Sequence, residues 1–526
     1  MNIDPQQRTT HAVPTIPLAR VRELAGSNPQ RVAIQFEGNN LSYAQLNDRS
    51  NAVANGLLAA RWPKQSRIAI LDFNDVSFAE IFLGAQKAGH VLTPINARLA
   101  APEVAWIVND AQAPILFVGR DHYAQVEAIE ASLSTKTIVA LHGDHARWPS
   151  YVEWRDSQSS IDPKQTLNLD DDMVQLYTSG TTGHPKGVCH TFRTWNAAAH
   201  AASQSTPTSF WPDCIYLTCL PLFHVAGINP LCFVLSGGGK IVLTRRTDPV
   251  EILSLLETHG ITNIVLVPAL ILAIVNVFQA KQQANPSLAK PKITLRSLGY
   301  GASPIAEDVL RRAQELLDCP FEHLYGMTEN WGVNTVLPAS MHDASLGKLK
   351  SCGRPQPGCE VKVVDEKGTE RPIGEVGEII MRSPWIMRGY WQRPDATEKT
   401  IRDGWLWTGD AGYVDADGFL YIHDRMNDMI KPGSENVYPA EVENALFSHP
   451  SIADAAVIGV PDERWGEAVK AVVVLKANAT LDIPDIDRHL RERIAGFKIP
   501  RSYAVVAALP RNASGKVLRR QLREQT

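Results

Sequence analysis

The sequence predicts an α/β protein: a large N-terminal domain of mixed, parallel-rich sheets with helices, a small β-rich subdomain, and a small α+β C-terminal domain. Three observations predict it. In the first two thirds, short runs rich in Ile, Val and Leu alternate with helical segments and show no polar alternation, as strands covered on both faces do. From about Gly353 the runs become short strands separated by Gly and Asp turns. After Asp424-Arg425-Met426-Asn427-Asp428 the chain restarts with a new helix–strand order. At 526 residues the chain also exceeds what one core holds. The expected domains are 1–425, with the β-rich part at about 353–425, and 426–526.

In chain order, residues 14 to about 60 predict a helix, a short strand pair and a longer helix. Val32–Phe36 alternates, 37–40 turns, and Ser42 is placed to cap a helix whose face carries Leu46, Val53 and Leu57. Arg67–Leu71 and Ile115–Val118 read as strands, with Val76–Gly89 helical between them. The rhythm continues through Ile215–Leu220, Lys240–Thr244, Ile264–Val267 and Leu295–Tyr300, with Pro268 opening a helix. Strands at Val361–Val364, Gly377–Met381 and Phe419–Ile422 form the β-rich part. The last part predicts a helix at 439–448, strands at 455–460 and 469–476, a helix at 484–494 and a basic tail.

Hydrophobic content of 44%, charged content of 21% and a net charge of −4 are ordinary for a globular protein and offer no electrostatic case for nucleic acid or an anionic membrane. Seven cysteines without a C-x-x-C pair predict buried, reduced thiols and a cytoplasmic setting. No apolar leader precedes residue 17, the last residues are not a peroxisomal tripeptide, and the most apolar run, Ile264–Val275, is too short to span a bilayer.

The most informative stretch is Leu176-Tyr177-Thr178-Ser179-Gly180-Thr181-Thr182-Gly183-His184-Pro185-Lys186-Gly187-Val188, between an apolar run and an expected helix. It packs three glycines, four serine and threonine residues and one lysine into thirteen positions. Glycines let backbone N–H groups converge on one anion, hydroxyls add neutral donors, and Lys186 adds a mobile positive charge. This is a cradle for a polyphosphate, though not the common P-loop, whose spacing it does not fit. Further on, Tyr325-Gly326-Met327-Thr328-Glu329 combines a ring that can stack on a purine, a hydroxyl for an α-phosphate and a carboxylate for Mg²⁺. Pro221-Leu222-Phe223-His224-Val225-Ala226-Gly227, Gly299-Tyr300-Gly301-Ala302-Ser303-Pro304, Trp407-Thr408-Gly409-Asp410 and Pro510-Arg511-Asn512-Ala513-Ser514-Gly515-Lys516 complete the set. Read alone, these four are a core turn with a satisfied histidine, a strand–helix turn, an exposed turn aspartate and a solvated tail lysine.

Taken in chain order, from 176 to 516, the six motifs resemble those of the adenylate-forming superfamily: acyl-CoA synthetases, peptide-synthetase adenylation domains and firefly-type luciferases. The resemblance covers essentially the whole chain. It implies an AMP-forming acid–CoA ligase using ATP, Mg²⁺ and CoA. Thr178, Ser179, Gly180, Thr181, Thr182, Gly183 and Lys186 would hold the β- and γ-phosphates, with Glu329 and Thr178 at the metal. Gly301, Ala302 and Ser303 would run along the adenine, and His323, Tyr325, Gly326, Met327 and Ile422 would also line the nucleotide. Asp410 would accept both ribose hydroxyls, Arg425 would contact ribose or phosphate, and Thr328 the α-phosphate. His224 would gate the acyl pocket, and Lys516 would bridge the acyl oxygen and the α-phosphate.

The resemblance further implies a mobile C-terminal domain swinging about a hinge, here Asn427 where Asp or Lys is more usual. Lys431 and Gly433 would face CoA. Between them Pro432 removes a backbone donor where a small residue is common. Trp465-Gly466-Glu467 and Lys498 are weaker candidates for the same face. The acyl pocket is expected from His224, Ile228, Tyr300, Gly301, Met327, Trp331 and Val333. These are mostly apolar or aromatic, which points to a medium-chain fatty or aryl monocarboxylate. A carrier-protein acceptor, a luciferase-like oxygenase and a non-catalytic nucleotide sensor stay open at this stage, as does the oligomeric state, a homodimer included.

Overall fold

The computed structural model describes residues 15–178, 185–303, 305, 307–425, 428, 430, 432, 437–462, 466–511 and 517–525. Local signals act as read in the first elements. Ser42 accepts from the Gln45 backbone while the Gln45 side chain accepts from the Ser42 backbone, closing a capping box on the helix Tyr43–Ala59. Leu46, Val53 and Leu57 are all buried on that helix. Asp75 caps the helix Val76–Lys87 through the Ser77 amide, and Pro268 opens the helix Pro268–Ala284.

Two large sheets carry the N-terminal part. The first has seven strands in the order Gly389–Tyr390, Lys186–Thr191, Asp172–Thr178, Val91–Ile95, Arg67–Leu71, Ile115–Val118 and Thr137–Ala140. It is parallel from Asp172–Thr178 onward and antiparallel at the Gly389 edge. The second has nine strands: Arg354–Pro355, Thr335–Leu337, Phe321–Tyr325, Ser297–Gly301, Asn263–Leu266, Ile215–Thr218, Lys240–Leu243, Val32–Phe36 and Asn39–Ser42. Its middle is parallel and both ends are antiparallel. Helices cover both sheets, and their Ile, Val and Leu runs are almost wholly buried, which is why polar alternation is missing from the sequence.

Gly353 marks the change of style for a steric reason: its φ is +85°, and a Cβ there would sit 2.0 Å from the Val336 carbonyl. Beyond it lies an antiparallel sheet of Glu360–Val364, Gly377–Arg382, Trp405–Val414, Ile401–Arg402 and Leu420–Arg425. Residues 437–525 contribute Ile452–Asp462, Gly466–Leu475 and Ser502–Val505, with a core of their own built from Val442, Leu446, Val457, Val469, Ile486 and Leu490. Three expectations are corrected. The glycine-rich loop is followed by the strand Lys186–Thr191 before the helix Phe192–Ser205 begins. Trp407–Asp410 lies inside a ten-residue strand rather than an ordinary turn. The basic tail contains the strand Ser502–Val505 and the helix Arg519–Gln525. Among the described residues, no helix is long and apolar enough to cross a membrane. All seven cysteines are free, six of them buried, and burial pushes their thiols up, Cys189 to about 11 and Cys219 to about 12.

Candidate active site

The site is built where the first sheet's antiparallel edge meets the end of the second sheet. Thr178 and Lys186 are register partners on adjacent strands, which fixes both ends of the glycine-rich stretch. Ser179, Gly180, Thr181, Thr182 and Gly183 lie outside the described residues, as do Asn427, Lys431, Gly433, Trp465 and Lys516.

The strand Phe321–Tyr325 ends and the chain passes through a single 3-10 turn, Thr328–Asn330. The Asn330 side chain accepts from the Met327 amide at 2.9 Å, and the Gly332 amide donates to the Met327 carbonyl at 2.8 Å, fixing the turn from within. From outside, the Met387 amide donates to the Glu329 carbonyl, and His190 lies 2.7 Å from the Thr328 carbonyl. His190 is fully buried, which lowers its pKa to about 4, so the neutral ring donates from Nε2. The Glu329 carboxylate, 6% exposed, accepts from the Tyr390 hydroxyl at Oε1, 2.7 Å away. Among the described residues its Oε2 has no hydrogen-bond partner. Lys186 Nζ stands 4.9 Å from the centre of the Tyr390 ring. Lys186 and Glu329 are thus both held against Tyr390, and Thr178 is the register partner of Lys186.

Asp410 owes its position to a bulge. Pairing with the strand Gly377–Arg382 jumps from Ile380↔Trp407 to Glu378↔Ala411, leaving Thr408-Gly409-Asp410 looped out of the ladder. Gly409 adopts φ +71°, its amide donates to the Glu378 side chain, and Thr408 donates to the Ile379 carbonyl at 2.7 Å. Asp410 is buried and accepts from the Tyr325 hydroxyl at 2.7 Å, while Arg425 is its backbone register partner on the next strand. Burial, and then Asp410, raise the Tyr325 phenol well above its ordinary value, so this hydroxyl stays a donor. Ile422 is on the same strand as Arg425, opposite Gly412. The bulge explains why the segment reads as a turn in sequence.

Around the expected acyl pocket, His224 precedes the helix Val225–Gly237. Burial first, and the Arg98 charge second, hold its imidazole down to about 4, and its Nε2 has no partner among the described residues. Ile228 and Trp331 are buried in one core cluster. Trp331 takes the left-handed conformation, φ 55°, held by its Nε1–H donating to Thr194 and by Asn229 donating to its carbonyl. Tyr300 is turned into the second sheet's core, stacked on His323 at 4.8 Å, with its hydroxyl against His342. A Cβ at Gly301 would meet the Leu324 carbonyl at 2.2 Å, Ala302 has φ 67°, and Ser303 follows it. Val333 presents its carbonyl to Gln356. Lys498 is engaged by both oxygens of Glu441 at 2.6 and 2.7 Å.

Two features escape the motif reading. One is Tyr390. The other is a cavity of about 300 Å³ lined by Phe73, Asn74, Arg98, Phe223, Arg245 and Arg246, adjoining His224. Arg98 follows the strand Val91–Ile95, so an arginine just past a strand's carboxyl end in an open α/β sheet was the available signal. Arg245 is fixed on Asp72 and Asp121, and Asp72 also holds His142 at 2.7 Å.

His90, His190 and His323 are buried and each is held down to about 4, chiefly by burial. Their folded pKa values lie below the unfolded value near 6.5. The stability they contribute is therefore complete above about pH 6.5 and falls as pH drops toward about 4. Each histidine adds a slope of at most about 1.4 kcal/mol per pH unit, so urea unfolding should show a marked loss between about pH 6.5 and about pH 5. A flat profile there would contradict their neutrality.

Known families and proteins match the chain over nearly its whole length. Residues 21–391 match the family described as AMP-binding enzyme, and residues 441–516 match the AMP-binding enzyme C-terminal domain. The chain is 39% identical over 505 residues to a fatty acid–[acyl-carrier-protein] ligase of Streptomyces coeruleorubidus, covering 95% of this chain and 94% of that one. It is 36% identical over 507 residues to a feruloyl-CoA synthase of an Amycolatopsis species, covering 95% and 97%. Among solved structures, the o-succinylbenzoate CoA synthetase of Bacillus subtilis, in complex with its acyl-adenylate intermediate, is similar with a TM-score of 0.83. Its sequence identity is 29%, and 96% of this chain and 97% of that one are covered. The chain belongs to the AMP-binding enzymes of the adenylate-forming superfamily and is an AMP-forming acid–thiol ligase.

Proposed function

We propose that the protein activates a monocarboxylic acid with an apolar medium-chain or aryl tail as its acyl-adenylate, then passes the acyl group to CoA. In the first step a carboxylate oxygen attacks the α-phosphorus of ATP, and the bond to the β-phosphate breaks to release pyrophosphate. In the second, a thiolate attacks the acyl carbonyl and AMP leaves. Both reactants of the first step are anionic, so its barrier is set by how well the protein meets the accumulating charge. Lys186 and the amides and hydroxyls of 178–183 meet the β- and γ-phosphates, and Thr328 meets the α-phosphate. Asp410 orients the ribose, with Arg425 beside it. Lys516, from the C-terminal domain beginning near residue 426, bridges the two reacting groups.

Glu329, with Thr178, would hold Mg²⁺. A buried carboxylate with an oxygen left over among the described residues fits a cation, because an uncompensated buried charge is costly. When bound, the metal supplies positive charge against the polyphosphate. His224 stays neutral at physiological pH, so it approaches the substrate carboxylate as a hydrogen-bonding ring rather than a competing cation.

The observation that favours CoA is Arg98 in the cavity beside His224, where Arg245 and Arg246 are already paired with Asp72 and Asp121. Guanidinium groups suit phosphates through paired N–H donors, and CoA brings three phosphates on its nucleotide end. Lys431 and Gly433 would meet CoA from the C-terminal side. The buried, reduced thiols fit a cytoplasmic protein. The test is pyrophosphate release with ATP and Mg²⁺ across a panel of acids, with CoA, a phosphopantetheinylated carrier protein, or neither. Acid-dependent release with thioester formed on CoA supports the reading. Thioester only on the carrier protein overturns the acceptor, and no release with any acid overturns the activity. Arg98→Ala is expected to raise KM for CoA about tenfold or more while leaving acid-dependent ATP–pyrophosphate exchange within about twofold. An equal loss in both would remove the cavity from the acceptor's path.

A further inference from the structure

We infer that Tyr390 is a positioning residue for the metal-holding carboxylate: its hydroxyl fixes Glu329 in one orientation while its ring face seats Lys186. This rests on the reading of Glu329 as the Mg²⁺-holding group. Tyr390 lies on a two-residue strand, Gly389–Tyr390, paired antiparallel to Cys189 and Val188 at the edge of the seven-stranded sheet. That pairing ties it to the strand that begins with Lys186. The neighbouring residue Met387 donates its amide to the Glu329 carbonyl at 2.7 Å, so the same short segment grips Glu329 by backbone and side chain together.

The geometry divides the carboxylate's work. Oε1 accepts a hydrogen bond from the phenol at 2.7 Å, and Oε2 has no partner among the described residues. A ligating carboxylate whose second oxygen is hydrogen-bonded cannot rotate freely, and outer partners of this kind are typically worth 10- to 100-fold in metal affinity. Lys186, 4.9 Å from the ring centre, lies within cation–π range of the same side chain. One aromatic residue thus sets the spacing between the carboxylate meant for the cation and the ammonium meant for the phosphates. Tyr390→Phe would keep the ring, and with it the Lys186 contact, and remove only the hydroxyl. The metal-dependent part of ATP binding is therefore where its effect should fall.

The experiment is calorimetric binding of ATP to the full chain, once with Mg²⁺ and once with EDTA, for Tyr390→Phe, Glu329→Gln and the double variant. Tyr390→Phe is expected to weaken Mg·ATP about tenfold and to leave metal-free ATP unchanged. The Mg²⁺ concentration needed for half-maximal pyrophosphate release should rise in parallel. Glu329→Gln is expected to show the same selective loss, and adding Tyr390→Phe to it should cost nothing more. Equal weakening with and without metal would mean a merely structural role and would overturn the inference. Loss in Glu329→Gln but none in Tyr390→Phe overturns Tyr390 alone, whereas no metal-dependent loss in Glu329→Gln overturns the reading of Glu329. Should Tyr390→Phe fold poorly because it strands a buried charge, the Glu329→Gln background removes that charge. A further loss from Tyr390→Phe in that background would then decide against the coupling.

Discussion

Asp410→Ala is expected to lower kcat/KM for ATP by about 10²- to 10⁴-fold, since hydrogen bonds to a charged group contribute about 1.5–3 kcal/mol each and the proposed ribose contact makes two. The carboxylate is well suited to that work. It is buried, carried on a bulge whose geometry is fixed by Thr408, Gly409 and Glu378, and aligned by the Tyr325 hydroxyl. The same substitution strands that hydroxyl in a buried setting, which costs about 1–3 kcal/mol of stability. Asp410→Asn keeps the shape and an acceptor for Tyr325 and should lose less stability while still losing affinity. Calorimetric AMP binding alongside urea unfolding separates the two effects. Unchanged AMP affinity with lowered stability would make Asp410 a structural residue only.

Trp331→Ala carries the largest expected cost in stability, about 3–5 kcal/mol, as for other fully buried tryptophans. Trp331 is 1% exposed, donates to Thr194 and lies 4.4 Å from the His190 ring. Alanine would forfeit these contacts and remain in the left-handed conformation that the Trp331 backbone adopts, so no relief of strain offsets the loss. Trp331 shares its core cluster with Ile228, another residue expected at the acyl pocket, so the surviving enzyme should turn over longer or bulkier acids relatively better. An acid-length profile that keeps its shape while unfolding shifts would place Trp331 in the core and outside the acyl pocket.

Strands covered on both faces announced themselves through unbroken Ile, Val and Leu runs, and the ends of Arg67–Leu71 and Ile115–Val118 match the reading. Ser42 and Pro268 were legible because capping and helix initiation are local chemistry. What failed did so for want of a partner. Gly409 in a sequence looks like any turn glycine, and only the neighbouring strand, with Glu378 and Ile379 reaching across, makes it part of a bulge. The strand after the glycine-rich loop was hidden because Val188 and Cys189 pair with Gly389 and Tyr390, some two hundred positions away in the chain. The motif residues of the site were readable as types. Tyr390, His190 and the arginines of the cavity were not, because each acts through a contact that only the fold creates.

The pairing of Thr178 with Lys186 has a mechanical meaning. Whatever path the backbone takes between them, the lysine's address is a rung of the sheet and not a point along the loop. The site thus has its cationic group keyed to the sheet. Adding or deleting a single residue on the strand would turn the lysine to the opposite face and disconnect it altogether.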